Sequence, residues 1–197
     1  MDTKPRWQQL MPSSLVGVAL ACADPVATPP ARAPARAAEG VERYLPLPEG
    51  FVYEYDVETD TGETGRMMMQ VSRPRAGMVE LEVAGKVQRL ELSADAVQHA
   101  TGGYLLKAPL ELGAEWKGQF GTVRVASVTR SVQTPAGAFQ ACVETVEEAT
   151  TPPKRATSVY CIDVGLVRLQ IEGAQGKEVV SIETTLRSYG PRPAEFQ

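Results

Sequence analysis

Three cysteines, a single histidine and a few paired carboxylates are the residues of this chain with the most chemistry in them. Asp56, Glu58 and Asp60 alternate in "DVETDTGE" ahead of Gly62, a spacing that resembles a calcium loop. An EF-hand needs Gly at the sixth position and Glu at the twelfth, where this chain has Thr61 and Met67. Alternate carboxylates are also what the solvent face of a strand looks like near its end. These three residues are calcium candidates only, and no metal and no cofactor is expected. His99 has no cysteine or second histidine near it, which counts against a metal site. A serine hydrolase would have to use His99, yet the chain contains no G-x-S-x-G. Glu80/Glu82 and Glu147/Glu148 could serve acid–base chemistry, but carboxylates at such spacing are common on exposed strand faces. Met67, Met68 and Met69 would alternate faces on a strand, so their sulfurs do not converge on a soft metal.

The cysteines divide into one and two. Cys142 in "AFQACVETVEE" and Cys161 in "ATSVYCIDVG" are placed symmetrically about "TTPP". If 138–148 and 156–164 form one hairpin, Cys142 faces Cys161, Val143 faces Tyr160 and Glu144 faces Val159. Directly opposite residues have Cα atoms about 4.5 or 5.5 Å apart, within disulfide reach. The bond is expected to form in an oxidising compartment. Strict alternation puts Cys142 with Gln140 and Glu144, away from Phe139, Ala141 and Val143, so a surface or second-layer staple is expected.

Cys22 ends "MDTKPRWQQLMPSSLVGVALAC", in which Lys4 and Arg6 precede a moderately apolar segment, Leu10 to Leu20. That is signal-peptide anatomy. Ala19-Leu20-Ala21 is a cleavage site of the A-x-A kind. With Cys22 after it, the stretch also resembles the bacterial lipobox, in which the thiol takes a diacylglyceryl group and becomes the new N-terminus. "ADPVATPPARAPARAAEG" follows, rich in Pro and Ala, a semi-rigid spacer in the polyproline-II style. The expected organisation is a signal peptide at 1–21, a lipidated Cys22 with its tether at 22–43, a β-domain at 44–190 and a tail at 191–197. Ala23 follows the Cys, with Asp only at position 24, so the resemblance to bacterial lipoproteins implies that the common inner-membrane retention signal is missing, which favours an outer membrane. No later stretch approaches the roughly 20 apolar residues of a spanning helix.

These residues are carried by a body whose dominant period is two. "VRLQIE" puts Val167, Leu169 and Ile171 on one face and Arg168, Gln170 and Glu172 on the other. "FVYEYDVE", "MVELEV" and "VSIETTLRSY" behave likewise, and turn signals such as "DTGETG", "RPRAG", "TPAG" and "GAQGK" separate them. The expected fold is mainly β, an antiparallel meander of about ten strands forming a sandwich or a curved half-barrel. At most one short helix is expected, over "SADAVQHA", 93–100, with Ser93 or Asp95 as cap. The phrase Pro-Leu-x-x-Gly-x-x-aromatic occurs twice: Pro46, Leu47, Gly50, Tyr53 and Pro109, Leu110, Gly113, Trp116. Pro sits best just before a strand, Leu anchors inward, Gly bends and the aromatic returns to the core. Each copy reads as a strand-launching device, so two similarly launched sub-sheets are expected.

"YLPLPEGFVYEY", "TPAGAFQAC" and "CIDVGLVRL" together resemble a loose family of bacterial envelope lipoproteins and secreted β-domains, some of them TapB-like. Thr134, Pro135, Gly137 and Phe139 match its turn phrase, and Gly165 and Val167 its closing one. Phe51 and Tyr53 stand where the family usually has Trp, and Cys161 where it has an aromatic or Ala. The resemblance implies an envelope β-protein and brings no catalytic residues with it.

The formal charge is −4, with residues 1–40 at +1 and the remainder at −5. An acidic body argues against nucleic acid. The expected protein is an exported outer-membrane lipoprotein, facing the periplasm or the surface, that acts as a non-enzymatic accessory or binding module. Its partners would be the membrane, through the lipid, and an envelope protein or acyl-chain ligand. A carrier holding a lipid or other apolar ligand on the concave face of a half-barrel is one alternative, and a hydrolase another.

Overall fold

In the computed structural model, which describes residues 40–175 and 178–192, a short 3-10 turn, Gly40–Arg43, leads into twelve strands. They are β1 (Phe51–Thr59), β2 (Thr64–Arg75), β3 (Met78–Val83), β4 (Lys86–Leu92), β5 (Ala96–His99), β6 (Tyr104–Lys107), β7 (Glu115–Lys117), β8 (Thr122–Thr134), β9 (Gly137–Thr150), β10 (Pro153–Cys161), β11 (Gly165–Gln175) and β12 (Glu178–Pro191). They pair antiparallel in the order β6-β5-β4-β3-β2-β1-β12-β11-β10-β9-β8-β7. The chain zigzags away from β1 as far as β6, starts again at β7, and comes back until β12 lies beside β1. The sheet thus rolls into a near-closed barrel whose seam lies between β6 and β7. The repeated phrase precedes these two starting points. Gly50 N–H donates to Val71 O on β2 (3.1 Å), and Gly113 N–H donates to Val125 O on β8 (2.9 Å). Each copy therefore launches a strand and ties the bend before it to the strand's hairpin partner.

Alternation decides what fills the barrel. Tyr53 and Tyr55 on β1 stand in register with Met69 and Met67 on β2, and Tyr55 also faces Leu186 on β12. Tyr53, Tyr55, Leu90, Leu106, Val125, Val143, Val167 and Leu186 are all at most 1 % exposed. Met68, between its two inward neighbours, is 49 % exposed. Burying an aliphatic or aromatic side chain of this size contributes about 1.5–3 kcal/mol. The five ion pairs found among the described residues join side chains that are 19–63 % exposed, and such pairs are worth about 0–1 kcal/mol each. The packed interior, not the charged surface, holds this fold.

Consecutive strands run in opposite directions, so the β2–β3, β4–β5, β8–β9 and β10–β11 turns share one end of the barrel with the start of β1. That end is capped by the chain's own lead-in. Val41, Leu45 and Leu47 are 0 %, 5 % and 1 % exposed. Arg73 donates from Nε to Leu47 O (2.8 Å) and from its terminal nitrogen to Pro46 O (2.6 Å), while Glu49 accepts from Arg73 N–H. The β8–β9 hairpin also reaches across: it outruns β10, slips register three times against itself, and its tip donates Ala136 N–H to Leu186 O on β12 (3.2 Å). Repeated bulges of this kind bend and overtwist a hairpin.

The expected mainly antiparallel β fold holds, closed further than a half-barrel, with twelve strands rather than about ten. The helix expected over 93–100 is a correction. Residues 96–99 form β5, with Val97 and His99 inward and Ala96 and Gln98 outward. Ser93 N–H and its hydroxyl both bond Ala96 O, making a turn instead of a helix cap. A period-two burial pattern and partners on both sides outweigh a weak local capping signal.

Candidate functional site

Cys142 and Cys161 are joined by a disulfide with Cα atoms 4.3 Å apart. The hairpin register is the one expected, with Val143 opposite Tyr160 and Glu144 opposite Val159. The expected surface position is wrong: Cys142 is 0 % and Cys161 2 % exposed, both within the core. Strict alternation breaks down here. Ala141 has φ +54°, β9 slips against β8 between Arg130 and Val132, and β10 slips against β11 after Val159. As a result Cys142 and Val143 are buried in succession, as are Val159, Tyr160 and Cys161.

The seam between β6 and β7 is bridged by side chains where ladder bonds are missing. Trp116 Nε1 donates to Tyr104 O (3.2 Å). At the far end, the inward-facing Glu147 of β9 accepts the N–H groups of Phe120 (2.6 Å) and Gly121 (2.9 Å) through one carboxylate oxygen, Oε1. This anchors the β7–β8 loop. The loop needs its glycines: a Cβ on Gly121 would lie 1.8 Å from Glu148 O, and one on Gly103, across the seam, 2.2 Å from Gly118 O. His99 faces the same interior. It is 8 % exposed, and its Nε2 is buried without a hydrogen-bond partner. Burial lowers its pKa below the usual histidine value, partly opposed by the negative charge of Glu147. On β10, burial pushes the Tyr160 hydroxyl up to about 12.

The His99 arrangement gives a signed prediction. The folded protein holds His99 neutral at pH values where the unfolded chain, with an ordinary pKa of about 6.5, takes up a proton. The contribution is complete above that value and is lost as pH falls through the lowered folded pKa, with a slope of at most about 1.4 kcal/mol per pH unit. Urea unfolding between pH 8 and 5 should show stability falling on the acid side of 6.5, and His99→Phe should flatten that fall. An unchanged slope in the variant would assign it to other groups.

On the outer face, a cleft of about 660 Å³ opens beside the capped end. Arg75 from the end of β2, Met78 from the start of β3, Glu91 and Leu92 from β4, Asp95, and Gln98, Tyr104 and Lys107 from β5 and β6 line it. Ligand sites commonly run to about 300–1,000 Å³. The Lys107 ammonium sits 4.9 Å from the Tyr104 ring centroid. Arg75, Lys107, Glu91 and Asp95 take part in none of the ion pairs found among the described residues. Two charges of each sign therefore rim one cleft with an aromatic ring in it, a surface suited to an extended ligand carrying both signs.

The other candidates do not converge on it. Asp56 pairs with Arg187 (2.7 Å), Asp60 accepts Ser181 N–H (3.2 Å), and Glu58 lies on the outer face of β1 beside Asp56. Among the described residues, no group of three or more His, Cys, Asp or Glu is placed to hold a metal ion. Glu147 and Glu148 point to opposite faces, the latter toward Arg155 (3.7 Å), and Glu80 pairs with Arg89 (2.8 Å). Cys22 and its tether lie outside the described residues. The cleft residues and the seam role of Glu147 were missed from sequence. Their only signal, scattered charges near turns, is shared by every surface turn.

Fold and site together define a disulfide-braced, twelve-stranded antiparallel barrel with a charged cleft on its outer wall. No protein-family model and no curated protein matches the chain. Among solved structures, it is similar to a candidate exported protein with a YmcC-like fold from Bacteroides fragilis, at 15 % identity and a TM-score of 0.48, over 75 % of this chain and 98 % of that one. It is also similar to a candidate lipoprotein from Parabacteroides distasonis, at 14 % identity and a TM-score of 0.48, with the same coverage.

Proposed function

We propose that this chain is an exported, lipid-anchored cell-envelope protein that works as a non-enzymatic binding module through its outer cleft. The observation that carries export is the buried Cys142–Cys161 disulfide. Such bonds form and persist in oxidising compartments. The sequence "VALAC" ending in Cys22 supports the anchor, with the remaining two cysteines already consumed by the bridge. The residues after Cys22 favour the outer membrane as the place of anchoring.

The packed barrel speaks against carriage of an acyl chain inside it, because tyrosine, leucine and valine side chains occupy the space such a chain would need. The hydrolase alternative has its one histidine enclosed and its acidic pairs dispersed. The outer cleft, by contrast, offers an aromatic ring and charges that take part in none of the ion pairs found among the described residues, at a surface a partner can reach.

Protein extracted from native membranes under non-reducing conditions tests this reading. Its intact mass should correspond to a chain beginning at a lipid-modified Cys22, with Cys142 and Cys161 refusing alkylation until reductant is added. A ligand or protein partner should co-purify, and Tyr104→Ala with Lys107→Ala should release it. A retained Met1, or two readily alkylated thiols, would defeat the export reading; co-purification unaffected by the cleft variants would move the binding face elsewhere.

A further inference from the structure

We infer that the ligand of the outer cleft is an extended peptide with a basic side chain at its centre and an acidic one about three residues to either side. This rests on the outer cleft being the binding face.

The strand register lays the cleft out as a row. Arg75 at the end of β2 stands opposite Met78 on β3, Met78 opposite Glu91 on β4, Glu91 opposite Gln98 on β5, and Gln98 opposite Tyr104 on β6. The neighbouring Val79, Leu90, Val97 and Leu106 point inward and are at most 1 % exposed, so the row faces out. Strands in a sheet lie about 4.8 Å apart, so the row runs about 19 Å across β2 to β6, at right angles to the strands. Lys107 stands further along β6, opposite Ala96, and Asp95 precedes Ala96 in the turn. Leu92 N–H donates to Gly77 O (2.8 Å), which holds the β2–β3 turn against the end of β4. Met78, Ala96, Gln98 and Tyr104 are half-buried and form the floor, while Arg75, Glu91, Asp95 and Lys107 are exposed at the rim.

From β2 to β6 the rim charges run positive, negative, negative, positive: Arg75, Glu91, Asp95, Lys107. Arg75 and Lys107 are each carried two strands, about 10 Å, from Glu91. That order selects the ligand. A polyanion spanning Arg75 and Lys107 would lay its middle over Glu91 and Asp95, and a polycation would meet a like charge at each end. An acyl chain would cover four charges and give none of them a partner. A peptide can place opposite charges at this spacing, because three residues of extended chain cover about 10 Å. Its backbone amides suit Gln98, which both donates and accepts. The Tyr104 ring and the Met78 thioether give apolar surface to the stems of its long side chains.

The test uses the full chain and two end-blocked peptides, Glu-Ser-Ser-Lys-Ser-Ser-Glu and the sign-reversed Lys-Ser-Ser-Glu-Ser-Ser-Lys. Titration calorimetry at low salt should show the first binding about tenfold more tightly, since reversal turns three exposed attractions into repulsions. The gap should close at about 1 M salt. A variant with the rim reversed (Arg75→Glu, Glu91→Lys, Asp95→Lys, Lys107→Glu) should prefer the second peptide by a similar factor. All four positions are exposed, and Cys142 and Cys161 still refusing alkylation without reductant would show that the variant folds. Glu91→Gln with Asp95→Asn is the milder variant and should remove most of the preference without reversing it.

Equal binding of the two peptides, or a preference that the rim variants leave unchanged, overturns the inference. So does tighter binding to phosphatidylcholine vesicles than to either peptide, which would give the cleft to a membrane surface. No binding of either peptide at about 1 mM, with a ligand still co-purifying in a manner that needs Tyr104 and Lys107, overturns the peptide and leaves the cleft as the binding face. A preference for the first peptide that the rim variant reverses supports the inference, whatever co-purifies.

Discussion

Replacing Cys142 and Cys161 together by alanine is expected to lower the unfolding free energy by about 3 kcal/mol, the chain-entropy estimate for a closed loop of this length. The two cysteines are 19 residues apart in sequence and close the β9–β10 hairpin at its base. Because Cys142 marks the point where β9 outruns β10, the bridge also fixes the angle at which the β8–β9 tip crosses to β12. Two effects should therefore appear together. The urea midpoint should fall by the same amount in the alanine variant and in the parent protein under reductant. The Ala136 amide in the β8–β9 turn, bonded to Leu186 O, should gain exchange rate more than the amides of β9 do. A variant that loses less than about 1 kcal/mol, against the 2–5 kcal/mol usual for a native bridge, would show that the bond decorates a hairpin already fixed by packing.

Glu147→Ala should be the next most damaging change. It removes a carboxylate oxygen that accepts two backbone N–H groups, at 2.6 and 2.9 Å, from the loop closing the far end of the seam. Hydrogen bonds to charged groups are worth about 1.5–3 kcal/mol each, and the donors left behind keep their desolvation penalty. Glu147 is half-buried, so solvent softens the loss; about 2–4 kcal/mol is expected. Glu147→Gln keeps an acceptor in place and should recover at least half of it. Amide exchange at Phe120 and Gly121 should rise in the alanine variant with little change at β1 or β12. If alanine and glutamine variants unfold at the same midpoint as the parent, the seam is held by Trp116 and sterics instead.

The legibility of this chain was uneven for identifiable reasons. The hairpin carrying the cysteines could be read because a symmetric turn, "TTPP", fixes register without any knowledge of the rest of the sheet. The same reasoning failed for the exposure of Cys142, because a single positive φ at Ala141 shifts the alternation. The stretch 93–100 looks helical in sequence because Ser93 and Asp95 are capping residues and its one strand, β5, is only four residues long, too few for a period of two to separate itself from one of 3.6. Glu147 looked like one of many surface carboxylates, because the loop it anchors lies 26 residues away in sequence.

What the sequence by itself determined is local. Alternating side chains, turn residues and two launching phrases set the strands, their order of appearance and the pairing of successive neighbours. Paired cysteines set a bridge, and the N-terminal residues set the expectation of an anchor. Whether the meander stays open or rolls up was decided only in three dimensions. β1 and β12 pair across more than a hundred residues, and that pairing pays only when the tyrosines of one and Leu186 of the other are buried together. The cleft lies within the successive hairpins β2 to β6, but its charges come from β2, β4, β6 and a turn, and only the pairing of those hairpins side by side in one sheet brings them to one place.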